Sequence, residues 1–140
     1  MWLPKFEREG ITFSVESHVG GYVFLFDGLE CFAEYVVQYP SLGILVDVSH
    51  NFNDGCTIGE ILRIISNLNI TGLHLSDGIS GEEVKKGTHL PVGHGEINFA
   101  DFLEPFVKSK KIYGALEVIS TSDNINDSLL KLKGYSGIEV

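Results

Sequence analysis

Four short apolar stretches alternate along the chain with longer stretches whose apolar residues recur at helical spacing. The short stretches cover residues 11–16, 42–47, 72–77 and 113–120. In the first, Thr12, Ser14 and Glu16 share one face and apolar residues share the other, as in a half-buried strand. The second is almost continuously apolar, which is typical of a parallel strand covered on both faces. The pattern predicts four strands, each followed by a helix.

The first two of these helices carry clear apolar stripes. One stripe follows the spacing i, i+3, i+4, i+7 and i+8 and consists of Leu29, Phe32, Ala33, Val36 and Val37. Pro40 ends this helix, and we expect Cys31 to lie in its buried part. After a predicted loop at residues 51–55, Thr57 and Glu60 form a capping box, in which two free backbone N–H groups at the start of the second helix find acceptors.

Two further helices complete the predicted order. Asn98 can cap the third helix, and Pro105 is expected to kink it or to end it early. Asp123 or Asn124 can cap the fourth helix, which Gly134 is expected to end. The resulting order is β-α repeated four times, and repeated β-α units favour a parallel sheet with right-handed crossovers.

Composition places the chain among globular proteins and argues against some functions. Its 140 residues are 44% hydrophobic, which suits one compact domain with a buried core. The net charge of −9 argues against binding nucleic acid through phosphate contacts, but it suits a protein that holds a cation. The two cysteines form no close-spaced motif, and no apolar run reaches the ~20 residues that span a membrane. We expect a cytoplasmic protein without membrane association.

The candidate chemistry lies where the predicted strands end. Four residues stand at or near the carboxyl ends of different strands: Glu16, Asp47, His74 and Glu117. Because such ends meet at one edge of a parallel sheet, the four side chains are expected to converge, and three carboxylates with one imidazole suit a divalent metal. The alternative is that each is an ordinary solvated or hydrogen-bonded strand end. Asp77 can either orient the His74 ring or cap a turn, and the turn is preferred.

Five segments, taken together, resemble a known family. They are FSVESH (13–18), VDVSH (46–50), HLSD (74–77), HLPVGHGEINF (89–99) and GALEV (114–118). In this order, on these predicted elements, they resemble the C-terminal half of the xylose-isomerase-like TIM barrels, which include sugar phosphate isomerases and epimerases and the endonuclease IV enzymes. The resemblance covers about residues 7–132. It implies an α/β fold of four β-α units, half of a (β/α)8 barrel, in a single domain of residues 1–140.

The resemblance also implies roles for individual residues. The metal ligands would be Glu16, Asp47, His74 and Glu117. Two of them, Glu16 and Glu117, would also be catalytic, one removing a proton from the substrate and the other returning it on the opposite face. Substrate contacts, or ligands of a second metal, would come from His18, His50, His89 and Lys85. The cofactor would be a divalent metal, with Mn²⁺ or Zn²⁺ preferred to Mg²⁺ or Co²⁺.

The chain also departs from the family pattern. It lacks a counterpart of the first four β-α units, so half of the barrel wall is missing. Gly87 stands two residues before His89, where the endonuclease IV enzymes have an aspartate zinc ligand, and this disfavours a three-zinc cluster. The loop after His74 contains no arginine, so Lys85 or Lys86 would have to supply positive charge for a substrate phosphate.

These observations favour a metal-dependent isomerase or epimerase that acts on a sugar or sugar phosphate. The main alternative is a non-catalytic half-barrel, or a fragment, that binds metal or a partner without turnover. A hydrolase acting on abasic DNA is less favoured because of the acidic net charge and the missing aspartate. Four β-α units leave open sheet edges and an uncovered face, so we expect a homodimer that forms an eight-stranded barrel, with a separate partner chain as the alternative.

Overall fold

The computed structural model describes residues 3–18, 26–107, 112–119 and 121–136. Within these ranges lie four strands: β1 (Ser14–Glu16), β2 (Gly43–Asp47), β3 (Ile70–Leu75) and β4 (Tyr113–Leu116). Seven helices lie in the same ranges: α1 (Leu3–Arg8), α2 (Leu29–Val36), α3 (Val48–Asn53), α4 (Ile58–Ile65), α5 (Val84–Gly87), α6 (Phe99–Leu103) and α7 (Ser122–Ser136). None of these helices combines the length and the apolar character that crossing a bilayer requires.

The four strands form one parallel sheet in the order β1-β2-β3-β4, as the repeated β-α pattern predicts. In the described part of the chain, β1 and β4 are its two edges. Asp47 at the end of β2 lies opposite His74 of β3, and His74 lies opposite Ala115 of β4. The sheet thus places the carboxyl ends of all four strands along a common edge.

A β-bulge interrupts the pairing of β2 with β3. Ile44 lies opposite Ile70, but the next residue, Leu45, lies opposite Gly72, so Thr71 is an extra residue in β3. The Thr71 hydroxyl donates a hydrogen bond to the Ile44 carbonyl oxygen at 3.3 Å. A bulge of this kind changes which side chains point to each face of the sheet beyond it.

Helices cover one face of the sheet and form the core with it. The large, fully buried apolar side chains include those of Leu29, Ile44, Val46, Ile61, Phe99 and Phe102. Removing each such side chain from water contributes roughly 1.5–3 kcal/mol to folding. The stripe predicted for α2 is confirmed for Leu29, Phe32 and Val36, which are buried. It is wrong for Val37, which follows the helix as its C-cap and is 51% exposed, and Ala33 is only partly buried.

The opposite face of the sheet is open to solvent. Ser14, Leu45, Gly72 and Tyr113 contribute to a shallow depression of about 360 Å³ on this face. Tyr113 is 81% exposed, which is unusual for an aromatic residue within a strand. The face that would line the interior of a closed barrel is therefore left uncovered by the described part of the chain.

The predicted N-terminal caps of α4 and α6, and the early end of α6, are confirmed. The Thr57 hydroxyl accepts a hydrogen bond from the Glu60 N–H, and the Glu60 carboxylate accepts one from the Thr57 N–H at 2.8 Å. The Asn98 side chain caps α6 by accepting a hydrogen bond from the Asp101 N–H at 3.3 Å, and α6 ends before Pro105. Local sequence signals are sufficient at these helix ends, because each cap bonds within its own first turn.

The predicted loop at residues 51–55 is wrong, because most of it belongs to α3. Asp47 begins this helix by accepting a hydrogen bond from the His50 N–H at 2.9 Å. Asn51, on the next turn, donates from Nδ2 to the Asp47 carbonyl oxygen at 2.6 Å. Because Asp47 both ends β2 and caps α3, no loop residues separate the strand from the helix, and the sequence carries no signal that marks where the helix begins.

The predicted limits of α7 are also wrong. The helix begins one residue before Asp123, so Asp123 and Asn124 lie inside its first turn and do not precede it. It continues past Gly134, which does not adopt the left-handed conformation that commonly ends helices. Tyr135 stacks on Phe99 with ring centroids 6.2 Å apart, and this tertiary contact favours the extra helical turn.

Smaller differences concern one cysteine and the limits of the strands. Cys31 is exposed rather than buried, because it lies beside the apolar stripe of α2 and not within it. β1 begins only at residue 14, since the Ile11 N–H is used in a turn with the Phe6 carbonyl. β3 begins two residues earlier than predicted and ends two residues earlier, because Asp77 pairs with Leu90 in an isolated antiparallel bridge.

Candidate metal centre

The four strand-end residues converge at the carboxyl edge of the sheet. Glu16 and Asp47 are the last residues of β1 and β2. His74 is the next-to-last residue of β3, and Glu117 directly follows β4. One nitrogen or oxygen atom of each lies within 4.8 Å of the corresponding atoms of the other three. The structure therefore brings these four side chains into one group.

The Nδ1 atom of His74 is the common neighbour of three carboxylates. It lies 2.6 Å from Glu117 Oε2, 3.0 Å from Glu16 Oε1 and 3.7 Å from Asp47 Oδ2. One ring nitrogen carries at most one proton, so it can donate to only one of these oxygens. The hydrogen bond goes to Glu16, which leaves the other two carboxylates without a donor from His74.

Two carboxylate oxygens at this point are buried and have no hydrogen-bond partner in the described structure: Asp47 Oδ2 and Glu117 Oε2. The second is close to His74 but is not aligned with it as a hydrogen bond. Burying unpaired carboxylate oxygens costs free energy, and a bound cation offsets this cost. Carboxylate oxygens and imidazole nitrogens bind divalent ions at about 2.1 Å, and these four atoms, all within 4.8 Å of one another, form a group that could hold one such ion.

Neighbouring polar groups orient Asp47, which is completely buried. Its Oδ1 accepts hydrogen bonds from the Ser49 hydroxyl and the His50 N–H, which leaves Oδ2 for the centre of the group. The Asp47 N–H donates to Ser17 Oγ at 3.1 Å, and Asn51 Nδ2 donates to the same oxygen at 2.9 Å. The roles of Ser17 and Asn51 are not predicted from the sequence, since single polar residues outside an apolar pattern carry no periodic signal.

Three histidines lie beside this group. The rings of His18 and His50 have centroids 3.7 Å apart, and His50 Nε2 lies 2.9 Å from His89 Nε2. Burial lowers the pKa of His50 to about 4, although the Asp47 carboxylate partly opposes this, so the ring is neutral near pH 7. Single atoms of Asp47, His50 and His89 lie within 4.8 Å of one another, a spacing that suits a second metal ion or a sugar hydroxyl.

Lys85 lies outside the hydrogen-bond network of these residues. It is exposed on α5, and its ammonium group makes no hydrogen bond or ion pair with the residues that the structure describes. The neighbouring Lys86 is paired with Glu83 at 2.8 Å. Of the residues predicted for the site, Lys85 is thus the one that the fold does not bring into contact with the others.

The backbone at Gly87 leaves no room for an aspartate. The residue is buried, and a Cβ atom at this position would lie 2.5 Å from Asn53 Nδ2 and 3.1 Å from the Ile79 carbonyl oxygen. Asn53 is fixed there by donating to the Ile79 carbonyl at 2.8 Å. The close packing around Gly87 therefore accounts for the absence of the aspartate that the endonuclease IV enzymes have at this position. The structure gives no support to a three-zinc cluster.

Asp77 supports the loop that follows β3 and does not contact His74. Its Oδ1 accepts hydrogen bonds from the N–H groups of Gly78 and Ile97, and its Oδ2 accepts one from Gly93. The carboxylate thereby joins the two ends of a loop of about 20 residues. These contacts agree with the prediction that Asp77 caps a turn, and not with the alternative that it orients the His74 ring.

A comparison with solved structures found the same fold in a crystal structure of a D-tagatose 3-epimerase-like protein. The TM-score is 0.72 at 24% sequence identity, and the match covers 95% of this chain and 49% of that chain. This chain therefore spans about half the length of that relative, and its four parallel β-α units form half of a TIM barrel. A search of curated proteins gave no significant match.

A comparison with family-wide sequence models shows a family relationship that covers almost the full length of this chain. The family described as the xylose isomerase-like TIM barrel matches residues 2–133. This match includes all four strands and all four residues that converge on the candidate centre. The chain belongs to the xylose isomerase-like TIM barrel family.

Proposed function

We propose that this chain is half of a metal-dependent isomerase or epimerase that acts on a sugar or sugar phosphate. The observation that carries the proposal is the convergence of three carboxylates on His74 Nδ1, with Asp47 Oδ2 and Glu117 Oε2 buried and unpaired. Oxygen-rich sites with one imidazole bind divalent cations, and we favour Mn²⁺ or Zn²⁺ over Mg²⁺ or Co²⁺. The similarity of the fold to a D-tagatose 3-epimerase-like protein supports this class of reaction.

The reaction would transfer protons between a carbon atom of the substrate and the side chains of two glutamates. An ion held by Glu16, Asp47, His74 and Glu117 would supply Lewis acidity toward the carbonyl and hydroxyl oxygens of a sugar, which would acidify the C–H bond beside them. Glu16 and Glu117 belong to opposite edges of the sheet, and their side chains are 34% and 45% exposed, so a substrate can reach both. One glutamate, starting as a carboxylate, would remove the proton from carbon, and the other, starting as the protonated acid, would deliver its proton to the opposite face, so that the two exchange protonation states.

We assign the neighbouring residues to the substrate or to a second metal. His18, His50 and His89 lie beside the candidate centre, where imidazole groups can contact sugar hydroxyls or ligate a second metal. Lys85, which is exposed at the same loop, would bind a phosphate group of the substrate.

We also infer that a second copy of the chain completes the barrel. Because all four strands are parallel, a two-fold axis along the barrel would place β4 of each copy beside β1 of the other, with both running in the same direction. This arrangement closes eight strands, covers Tyr113 and gives two metal centres. The D-tagatose 3-epimerase-like chain is about twice as long, which agrees with eight units in a closed barrel.

Deuterium exchange tests the proposed chemistry directly. The chain is loaded with Mn²⁺ or Zn²⁺ and incubated in D2O with a panel of ketoses, aldoses and their phosphates, and NMR follows deuterium at the carbon next to the carbonyl. We expect exchange with at least one sugar. Glu117→Gln should lower the exchange rate by about 100-fold or more, because it removes one proton-transferring group without changing the size of the side chain.

Glu104→Gln is the matched control, since Glu104 is an exposed carboxylate at the C-cap that directly follows α6, and it should be neutral to activity. Circular dichroism of both variants checks that the fold is retained. A chain that binds metal but exchanges no proton of any sugar would instead support the non-catalytic half-barrel. A Glu117→Gln variant as active as the wild type would contradict the assigned mechanism.

A further inference from the structure

His89 is bonded to the chain segment that leaves β4 at two points. Its ring Nδ1 lies 3.2 Å from the Glu117 carbonyl oxygen. Its own carbonyl oxygen accepts a hydrogen bond from the Ile119 N–H at 3.0 Å. The two contacts lie on either side of Val118, so the main chain directly after the strand is fixed to His89 from both directions.

The partners of His89 determine which ring nitrogen carries the proton. The Glu117 carbonyl oxygen can only accept, so His89 Nδ1 is the donor. In the neutral ring Nε2 is then the acceptor, and the contact of 2.9 Å makes His50 Nε2 the donor to it. The hydrogen bonds therefore run in one direction, from His50 through His89 to the main chain at Glu117.

The backbone of His89 adopts a conformation that most side chains avoid. Its φ is 54°, and it is the only residue other than glycine with a positive φ in the described part of the chain. The bridge between Asp77 and the adjacent Leu90 holds the loop in this position. A residue kept in an unfavourable conformation by its surroundings points to a local requirement for the placement of its side chain.

Glu117 needs support of this kind because regular strand pairing ends just before it. β4 ends at Leu116, and the Glu117 N–H makes one further hydrogen bond, to the Leu75 carbonyl at 3.2 Å. The Glu117 side chain is 45% exposed, so packing alone restrains it little. Its Oε2 atom nevertheless lies 2.6 Å from His74 Nδ1, at the centre of the candidate site.

We propose that His89 is a positioning residue for Glu117. Its ring and its carbonyl oxygen fix the main chain at residues 117–119, and this aims the Glu117 carboxylate at the metal centre. The assignment rests on the proposed function, since it requires Glu117 to be a metal ligand. It gives His89 a role through the protein itself, beyond the contact with substrate or metal that the family resemblance implies.

The tautomer of His89 can be measured without any metal. ¹⁵N NMR of the metal-free chain near neutral pH should show His89 with a proton on Nδ1 and a bare Nε2. The opposite tautomer would mean that the ring does not donate to Glu117, and it would overturn the proposal independently of metal affinity.

Titration of the full chain with Co²⁺ alone tests the effect on the centre. His89→Gly allows the left-handed backbone but removes the ring, and its Co²⁺ affinity should fall about 10-fold or more, with an altered visible spectrum. His89→Asn is the rescue variant, because its amide places an N–H near the position of Nδ1 and asparagine tolerates positive φ. His89→Gln places its amide nearer the position of Nε2, so it should not rescue the affinity.

Each outcome has a defined meaning. Wild-type affinity and spectrum in His89→Gly, or equal rescue by the asparagine and glutamine variants, would overturn the positioning role. Loss of a second Co²⁺ with the first unaffected would show that His89 is a ligand instead. If His89→Gly does not fold, the comparison of His89→Asn with His89→Gln decides. A wild-type chain that binds no Co²⁺ refutes the proposed function, and the tautomer still tests the hydrogen bond.

Discussion

Asp77 organises a long loop that has little regular structure of its own. Its carboxylate accepts three main-chain N–H groups, and the residue is only 1% exposed. The loop wraps so closely that a Cβ atom at Gly95 would lie 2.5 Å from Asp77 Oδ1. Because His89 belongs to this loop, the side chain of Asp77 also fixes part of the surroundings of the candidate metal centre.

We expect Asp77→Asn to destabilise the chain by about 2 kcal/mol, because an amide group replaces one acceptor and faces a buried N–H donor. Urea unfolding measures this difference, and hydrogen exchange at Gly93 and Ile97 should become faster than in the wild type. Asp27→Asn is the matched control, since Asp27 is exposed, and it should change stability by less than about 0.5 kcal/mol. Unchanged exchange at both amides would contradict the role given to Asp77.

The sequence predicted which four side chains converge at the carboxyl edge of the sheet, but not the residues that support them. Glu16, Asp47 and Glu117 could be found because each follows an apolar run, and parallel strands carry their ends to one edge. Ser17 and Asn51 could not be found, because their role is a contact between elements 30 or more residues apart in sequence. Such contacts depend on the packed fold rather than on any local pattern.

At the scale of elements, α4 is the helix whose start depends most clearly on local sequence. Thr57 and Glu60 satisfy each other's main-chain N–H groups, and the helix then buries Ile61 and Ile65 against the core. The capping box and the apolar stripe occupy the same helix, so the position where α4 begins determines which residues face the sheet.

Thr57→Ala should destabilise the chain by about 1 kcal/mol, because it removes the cap of α4 and leaves an N–H group without its acceptor. Urea unfolding followed by circular dichroism measures the change. Ser66→Ala, at the other end of the same helix, is the control, because its exposed hydroxyl only donates to the Arg63 carbonyl. Equal losses in the two variants would argue against a specific contribution from the capping box.

Elements with local signals were predicted correctly, and those that depend on tertiary contacts were not. The order of strands and the caps of α4 and α6 follow from apolar periodicity and from residues three positions apart. The end of α7 does not, because Tyr135 continues the helix by stacking on Phe99, a contact with another element. α3 was missed for a related reason, since its cap, Asp47, was assigned only to the strand.

At the scale of the whole molecule, the uncovered sheet face and the two strand edges are the dominant features. Parallel sheets in α/β proteins are normally covered on both faces, and unpaired edges favour association with another strand. The residues that the structure describes cover one face only. Closure by a second copy would satisfy both edges with one symmetric interface.

Native mass spectrometry of the wild-type chain should show a dimer of twice 15.4 kDa with one transition-metal ion per chain. Tyr113→Lys should raise the dissociation constant of the dimer by about 10-fold or more, because closure would bury the new charge inside the barrel. Val107→Lys, on the outer surface after α6, is the matched control and should leave the dimer intact.

A metal-free monomer over a wide range of concentration would exclude the symmetric dimer and favour an open half-barrel. If the chain is monomeric alone but forms a complex with a different protein of similar size when the two are mixed, a separate chain would be favoured as the other half of the barrel. Sensitivity to Val107→Lys but not to Tyr113→Lys would place the contact on the helical surface, which contradicts closure of the barrel.

The bulge at Thr71 sets the phase of the side chains at the end of β3. If β2 and β3 stayed in the register of Ile44 and Ile70, Leu73 would lie opposite Asp47, and the His74 ring would turn toward the helices. One residue without chemistry of its own thus decides whether the imidazole belongs to the site or to the core. In an alignment of family members, a one-residue gap placed in this strand therefore changes which β3 side chain is predicted to face the site. The change occurs even though all the candidate ligand residues are still present in the sequence.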